Sequence, residues 1–227
     1  MPRTSSFFPT LFCGDAGDAR ELAELKRLAV PIRFDGGQTI FSEGELARNA
    51  YGLSYGVVRL YRLLPDGRRQ VVAFALPGDF LAMPLAERFS FSADAVGEIS
   101  VCRFPQEELK RLIQTNPGIM RLLVEFAARE LQSAQDQLTL LGNGSAEERV
   151  VTFLLNWRRR VARLTPAAQA IPLPMRRQDI ADFLGLKLET VSRTFSKLEQ
   201  RNAIRVVPHG VVLMGREQNG LFAGSSE

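Results

Sequence analysis

Histidine and cysteine are scarce. The 227 residues hold one histidine, His209, and two cysteines, Cys13 and Cys102. A Ser-His-Asp triad in a folded core, a His-rich metal barrel and most zinc sites need histidines that this chain lacks. Two cysteines cannot build a disulfide framework. An enzyme is therefore not expected, nor is a bound metal. Long apolar runs are missing too: Arg, Asp or Gly interrupts each within a dozen residues, short of the roughly 20 that a membrane-spanning helix needs. The apolar run near the start, Phe7-Phe8, is too short for an export signal. The expectation is a soluble, cytoplasmic protein with no membrane partner. What remains is ordinary globular composition, 45% hydrophobic and 24% charged, which leaves room for one large domain or two small ones.

Lysine is also rare: Lys26, Lys110, Lys187 and Lys197 are the four among 29 basic residues, and the rest are arginines. The charges are unevenly placed. Residues 1–144 carry 16 Lys+Arg against 17 Asp+Glu, whereas residues 145–227 carry 13 against 8. A basic terminal segment on a near-neutral body fits a nucleic-acid-binding module attached to a regulatory or oligomerising one, or simply a solvated basic surface.

Texture changes along the chain. Leu22, Leu25 and Leu28 share one face of a helix over 18–29, with Asp18 and Glu21 spaced as a capping box. Between Val30 and Arg103, glycines punctuate short β-rich runs: Thr39–Phe41, Tyr51–Ser54, Gly56–Leu63, Arg69–Ala75 and Ile99–Phe104. Pro65-Asp66-Gly67-Arg68 supplies a turn, Pro fixing φ and Gly accepting a positive one. Such spacing predicts a small sandwich or jelly-roll barrel. Helix resumes at Pro105, breaks at Asn116-Pro117-Gly118, and runs from Ile119 to Leu141. Val124, Ala127, Leu131, Ala134, Leu138 and Leu141 recur at alternating spacings of three and four, a seam almost three heptads long. It reads as a dimer seam, the alternative being a helix packed on its own domain.

Gly142-Asn143-Gly144-Ser145 signals a hinge, and Ser145 with Glu148 opens a further helix closed by Arg158-Arg159-Arg160. A short helix then runs from Arg176 to Leu184, and Gly185 permits a tight turn. In the next helix, Leu188–Leu198, Val191, Phe195 and Leu198 face inward and Glu189, Ser192, Arg193, Ser196 and Lys197 outward. Two short helices around a Gly turn form a helix-turn-helix pattern. Arg193 can donate two hydrogen bonds to guanine and Glu189 can accept one from the amino group of cytosine, both in the major groove. An i,i+4 surface ion pair between them is the plainer alternative. Ile204–Val207, Pro208-His209-Gly210 and Val211–Met214 read as a hairpin wing, with His209 at its tip near phosphate or solvent.

Four ordered motifs carry a resemblance: Gly37-Gln38-Thr39-Ile40-Phe41-Ser42-Glu43-Gly44; Gly56-Val57-Val58-Arg59-Leu60-Tyr61-Arg62; Leu76-Pro77-Gly78-Asp79-Phe80; and Asp179-Ile180-Ala181 with Gly185-Leu186 and Glu189-Thr190-Val191-Ser192-Arg193. Over residues 18–214 the chain resembles the CRP/FNR transcription regulators, and its recognition helix looks like the FNR/FixK branch. The resemblance implies an α+β fold: a double-stranded β-helix (jelly-roll, cyclic-nucleotide-binding-like) domain over 18–117, a long dimerisation helix over 118–142 and a winged helix-turn-helix over 145–218. It implies a homodimer, an activator in preference to a repressor, that binds double-stranded DNA at a palindrome like TTGAT-N4-ATCAA and works with RNA polymerase. The branch controls low-oxygen respiration and nitrogen metabolism. Glu189, Ser192 and Arg193 would read bases; Arg176, Leu188, Thr190, Ser196, Lys197 and His209 would lie against DNA.

Three departures bear on the signal. The segment Leu81–Ala95 lacks the Arg-Ser pair of cyclic-AMP-binding members and keeps Arg88 alone as a phosphate candidate, so cyclic AMP is not expected to bind. An FNR-type iron–sulfur cluster needs four thiolates. Cys13 and Cys102 resemble two of its ligands, so a complete cluster is excluded; a redox pair stays open beside two ordinary free thiols. Arg176 stands where some FixK proteins carry a reactive cysteine. No cofactor is therefore expected. The competing hypothesis is an effector-gated regulator whose β-roll binds a small ligand, or which senses redox through Cys13 and Cys102.

Overall fold

The structure, a computed structural model, describes residues 19–82, 85–165 and 169–214, except the side chains at 19–22, 141 and 143. Asp18 and Cys13 lie outside the described residues, as do the side chains of Leu22 and Leu141. The chain divides into two compact units, Met1–Asp136 and Gln137–Glu227.

In the first unit, helix α1 (Ala19–Leu28) leads into seven strands: β1 (Val30–Phe34), β2 (Thr39–Phe41), β3 (Asn49–Tyr55), β4 (Val58–Leu63), β5 (Arg69–Ala75), β6 (Ser92–Ala95) and β7 (Ile99–Pro105). They pair antiparallel in two sheets, β1-β7-β3 and β2-β6-β4-β5. Strand β7 shows why two cores form. Its side chains alternate between faces, so Ile99 and Val101 join Leu53, Val58 and Leu60 inside the roll. Cys102 and Phe104 point the other way, onto Leu25, Phe80, Leu109 and Ile113.

Two strands are absent from the sequence reading. Strand β1 contains Pro31, which disfavours a central strand but is tolerated here because β1 is an edge. Strand β6, Ser92-Ala93-Asp94-Ala95, has no β-branched or aromatic residue, yet all four are buried between β2 and β4. Asp94 is compensated there by the Thr39 hydroxyl at 2.9 Å, the Arg59 guanidinium at 3.0 Å and the Tyr61 hydroxyl at 3.3 Å. Strand β4 starts two residues later than expected, because Gly56 adopts φ +85°.

Helix α2 (Gln106–Thr115) is followed by α3 (Pro117–Asn143), which crosses the boundary of the two units. The Asn116 side-chain oxygen accepts from the amides of Gly118 and Ile119, while Pro117 has no donor to satisfy. The helix thus begins two residues before Ile119. It also continues through Gly142, so the connection to the next helix narrows to Gly144 and Ser145.

The second unit holds α4 (Ala146–Ala162), β8 (Ile171–Pro172), α5 (Arg177–Leu184), α6 (Leu188–Gln200), β9 (Ile204–Val207) and β10 (Gly210–Leu213). Ser145 and Glu148 form both halves of the expected capping box. Helix α4 runs past Arg158-Arg159-Arg160 to Ala162. Val150, Phe153, Leu154, Trp157, Ile180, Leu184, Val191, Phe195 and Leu198 fill the unit's core. The wing is three-stranded, β8-β10-β9, and the Trp157 indole N–H ties α4 to it through the Pro172 carbonyl at 2.7 Å. Among the described residues no helix is long and apolar enough to cross a membrane.

Candidate nucleic-acid interface

Helices α5 and α6 meet at Gly185, which takes φ +63°, and the Leu186 amide closes the turn on the Ala181 carbonyl at 3.0 Å. A left-handed residue after a helix end suits glycine because it has no Cβ to clash. The start of α5 is held by Asp179, whose carboxylate accepts from the Arg176 amide at 3.0 Å.

Helix α6 is amphipathic. Val191, Phe195 and Leu198 are buried, and Glu189, Ser192, Arg193, Ser196 and Lys197 are exposed. Positions i, i+3 and i+4 share one face, so Glu189, Ser192 and Arg193 lie together there. Neither the Glu189 carboxylate nor the Arg193 guanidinium has a hydrogen-bond or ion-pair partner among the described residues. The i,i+4 pair that would have absorbed them is not formed. Beneath α6, the Arg177 guanidinium stacks over the Phe195 ring at 3.3 Å from its centroid, and burial pulls its pKa down.

The flanking residues differ in what they can still do. Arg176 and Leu188 are exposed; Thr190 is half-buried, and its carbonyl accepts the Thr194 hydroxyl at 2.8 Å. The Ser196 hydroxyl donates to the Ser192 carbonyl at 3.3 Å. His209 is exposed in the wing turn at φ +60°, and its carbonyl accepts from the Leu173 amide at 2.8 Å. Lys197 is engaged within the unit: its ammonium sits 2.5 Å from Glu147, which also holds Arg201 at 2.7 Å. Sequence reasoning missed Glu147, because the acidic first turn of a helix does not name a partner fifty positions away.

On α3 two apolar faces diverge. Ile119, Leu122, Leu123 and Phe126 are buried in the first unit. Along the expected seam, Val124, Leu131 and Leu138 are 59, 61 and 71% exposed, Ala127 is half-buried and Ala134 is exposed.

Aromatic rings pack inside the β-roll. Phe41 and Phe89 stack at 3.8 Å inside it, with Tyr51 and Phe91 against them. The exposed Arg88 guanidinium donates to the Gly44 carbonyl at 2.7 Å. Cys102 is fully buried, and burial pushes its thiol up to about 11, which opposes the thiolate that redox chemistry or metal ligation needs. Among the described residues no group of three or more His, Cys, Asp or Glu could hold a metal ion.

Comparison with known proteins agrees with this arrangement. Residues 31–116 match the cyclic nucleotide-binding domain family and residues 148–218 the Crp-like helix-turn-helix domain family. The chain is 51% identical over 197 residues to the nitrogen fixation regulation protein FixK of Bradyrhizobium diazoefficiens, covering 87% of this chain and 83% of that one. It is 52% identical over 199 residues to the transcriptional activatory protein AadR of Rhodopseudomonas palustris, covering 88% and 83%. The structure of FixK2 from Bradyrhizobium japonicum superposes with a TM-score of 0.80 at 36% identity, covering 88% of this chain and 99% of that one.

Proposed function

The chain belongs to the CRP/FNR family of DNA-binding transcription regulators, in its FixK-like branch, and from that premise we propose that it is a cytoplasmic homodimer that activates genes of low-oxygen or nitrogen metabolism from an FNR/FixK-type palindrome. One observation carries the reading: α6 buries one face completely and leaves Glu189, Ser192 and Arg193 exposed together on the other. A helix docked in the major groove reads bases with such a face.

The second copy pairs along α3. A helix already anchored in its own unit by Ile119, Leu122, Leu123 and Phe126 has no internal use for Val124, Leu131 and Leu138. Exposed apolar residues at heptad spacing are covered economically by the same residues of an identical helix. Two symmetric recognition helices then address half-sites about one DNA turn apart.

We read the regulator as working without a cyclic nucleotide. The stacked Phe41 and Phe89 rings and the engagement of Arg88 by Gly44 support this. The burial of Cys102 speaks against cluster ligation or a redox switch at that residue. RNA polymerase is the expected partner of the DNA-bound dimer. The test is a gel shift of purified protein on the palindrome, with and without cyclic AMP. Tight binding of a twofold complex without effector is expected; binding that appears only with the nucleotide would replace this reading with an effector-gated one.

A further inference from the structure

The first unit treats its partly buried guanidinium groups in two ways. Arg59, on the β2-β6-β4-β5 sheet, meets the buried Asp94 carboxylate at 3.0 Å. Arg103, on the other sheet, meets no carboxylate. It stands in β7 between Val30 of β1 and Tyr51 of β3, on the face that Ile99 and Val101 turn into the roll. The residue is half-buried, and its Nε is shut off from solvent with no hydrogen-bond partner. Among the described residues its guanidinium forms no hydrogen bond and no ion pair. Taking a charged fork of donors out of water without an acceptor is costly, and a buried donor left so calls for a reason. The neighbours are polar. Burial raises the Tyr51 pKa, against the Arg103 charge and a hydrogen bond from the Asn49 side chain, so the hydroxyl keeps its proton at neutral pH. Asn49 lies two residues before Tyr51 on the same face of β3. The Tyr51 ring is held against Phe41 at 5.8 Å and Phe89 at 6.4 Å. The Glu45 carboxylate also acts on Tyr51 but forms no ion pair with Arg103.

We propose that Arg103, with the Tyr51 hydroxyl and the Asn49 amide beside it, binds a small oxyanion, the carboxylate or phosphate group of a metabolite-sized ligand, at the end of the β-roll. The planar guanidinium matches two oxygens of such a group at once, which a single-point cation does not. Tyr51 adds a donor whose ring is fixed by its aromatic neighbours. The stacked Phe41 and Phe89 rings fill the roll beneath, so the anion is held at the Arg103 end and not deep between the sheets. A charge kept without an internal partner lowers stability, and such a cost is expected where a residue serves binding. Neither dimerisation nor DNA binding is needed for this site.

The experiment melts the full chain at neutral pH and constant ionic strength in sodium chloride, inorganic phosphate or succinate, as wild type, Arg103→Met and Tyr51→Phe. Phosphate or succinate at about ten times its dissociation constant should raise the wild-type melting temperature by about 3 °C over chloride, and the rise should saturate. The larger of the two responses tells whether the site prefers a phosphate or a carboxylate group. Arg103→Met keeps the length of the side chain and removes its charge, and it should lose most of the response. Tyr51→Phe, without its donor, should respond less than wild type. Exclusion of these salts from the protein surface, or their binding to the arginines of the second unit, acts on wild type and Arg103→Met alike, so the difference between the two is the measure. Equal responses in wild type and Arg103→Met overturn the proposal, as does a wild type that responds to neither anion. Should Arg103→Met not fold, Arg103→Lys takes its place: a point charge without the fork should lose most of the response, and an unchanged response overturns the proposal.

Discussion

Glu147 and Lys197 stand fifty positions apart in the chain, and their charged atoms lie 2.5 Å apart in the structure, with Arg201 completing the clamp at 2.7 Å. The carboxylate brings α4 and α6 together and occupies a lysine that the sequence assigns to DNA. The Lys197 hydrogen bond, with a smaller contribution from the Arg201 charge, holds Glu147 below the usual carboxylate range.

Glu147→Gln should therefore do two things. Freeing Lys197 and Arg201 should raise nonspecific DNA affinity and steepen its dependence on salt. Stability at neutral pH should fall by only about 0.2–1 kcal/mol, since the Lys197 and Arg201 partners are exposed to solvent. A carboxylate with a depressed folded pKa stabilises above its unfolded value and loses that contribution as pH falls through the folded one. The stability gap between wild type and variant should thus be present at pH 7 and close below about pH 4. Melting curves across that range check it, and a gap that widens in acid would contradict the clamp.

Arg193→Ala should remove about 1–3 kcal/mol of discrimination for the palindrome while salt-dependent binding to unrelated DNA persists. Glu189→Ala should relax preference at one base position per half-site. Binding-site selection with each variant gives the answer; equal weakening on scrambled DNA would remove Arg193 from the reading face.

Leu131→Glu places a charge on the exposed α3 face without touching the buried Ile119, Leu122, Leu123 and Phe126. Sedimentation should show monomers with an unaltered far-ultraviolet spectrum. Palindrome affinity should drop towards that of a half-site. A variant that still sediments as a dimer would place the twofold contact elsewhere.

Gly56 and Gly67 both take positive φ, +85° and +80°, but a Cβ at Gly56 would meet the Glu98 carbonyl oxygen at 2.7 Å and Ile99 Cγ2 at 2.8 Å, whereas Gly67 has nothing within 4 Å. Gly67→Ala should cost about 1–2 kcal/mol, the left-handed penalty alone. Gly56→Ala should cost more, because backbone and a core side chain must shift. Parallel thermal melts would rank them, and a reversed order would refute the packing argument.

Cys102 should react with a thiol reagent only on unfolding, since burial lifts its thiol to about 11. Wild type and Cys102→Ala should bind the palindrome alike, each equally in air and under nitrogen. A difference between the two atmospheres that disappears with this substitution would restore the residue as a sensor.

The sequence by itself determined whatever depends on neighbours within a few positions. Gly185 marks the turn because a left-handed cap excludes a Cβ; Val191, Phe195 and Leu198 mark a buried stripe by their period; Ser145 and Glu148 cap a helix across three residues. The outward placement of Glu189, Ser192 and Arg193 on one face was legible for the same reason. Only the tertiary structure decided what distant segments do to one another. It made a strand of Ser92-Ala93-Asp94-Ala95 by burying it between β2 and β4, and gave Arg88 to the Gly44 carbonyl and Lys197 to Glu147. It also spanned Gly144 and Leu184 with Arg149. A polar side chain carries no record of its partner's address. That partner is chosen by burial, where a donor or acceptor must be satisfied by whatever the packing brings within reach.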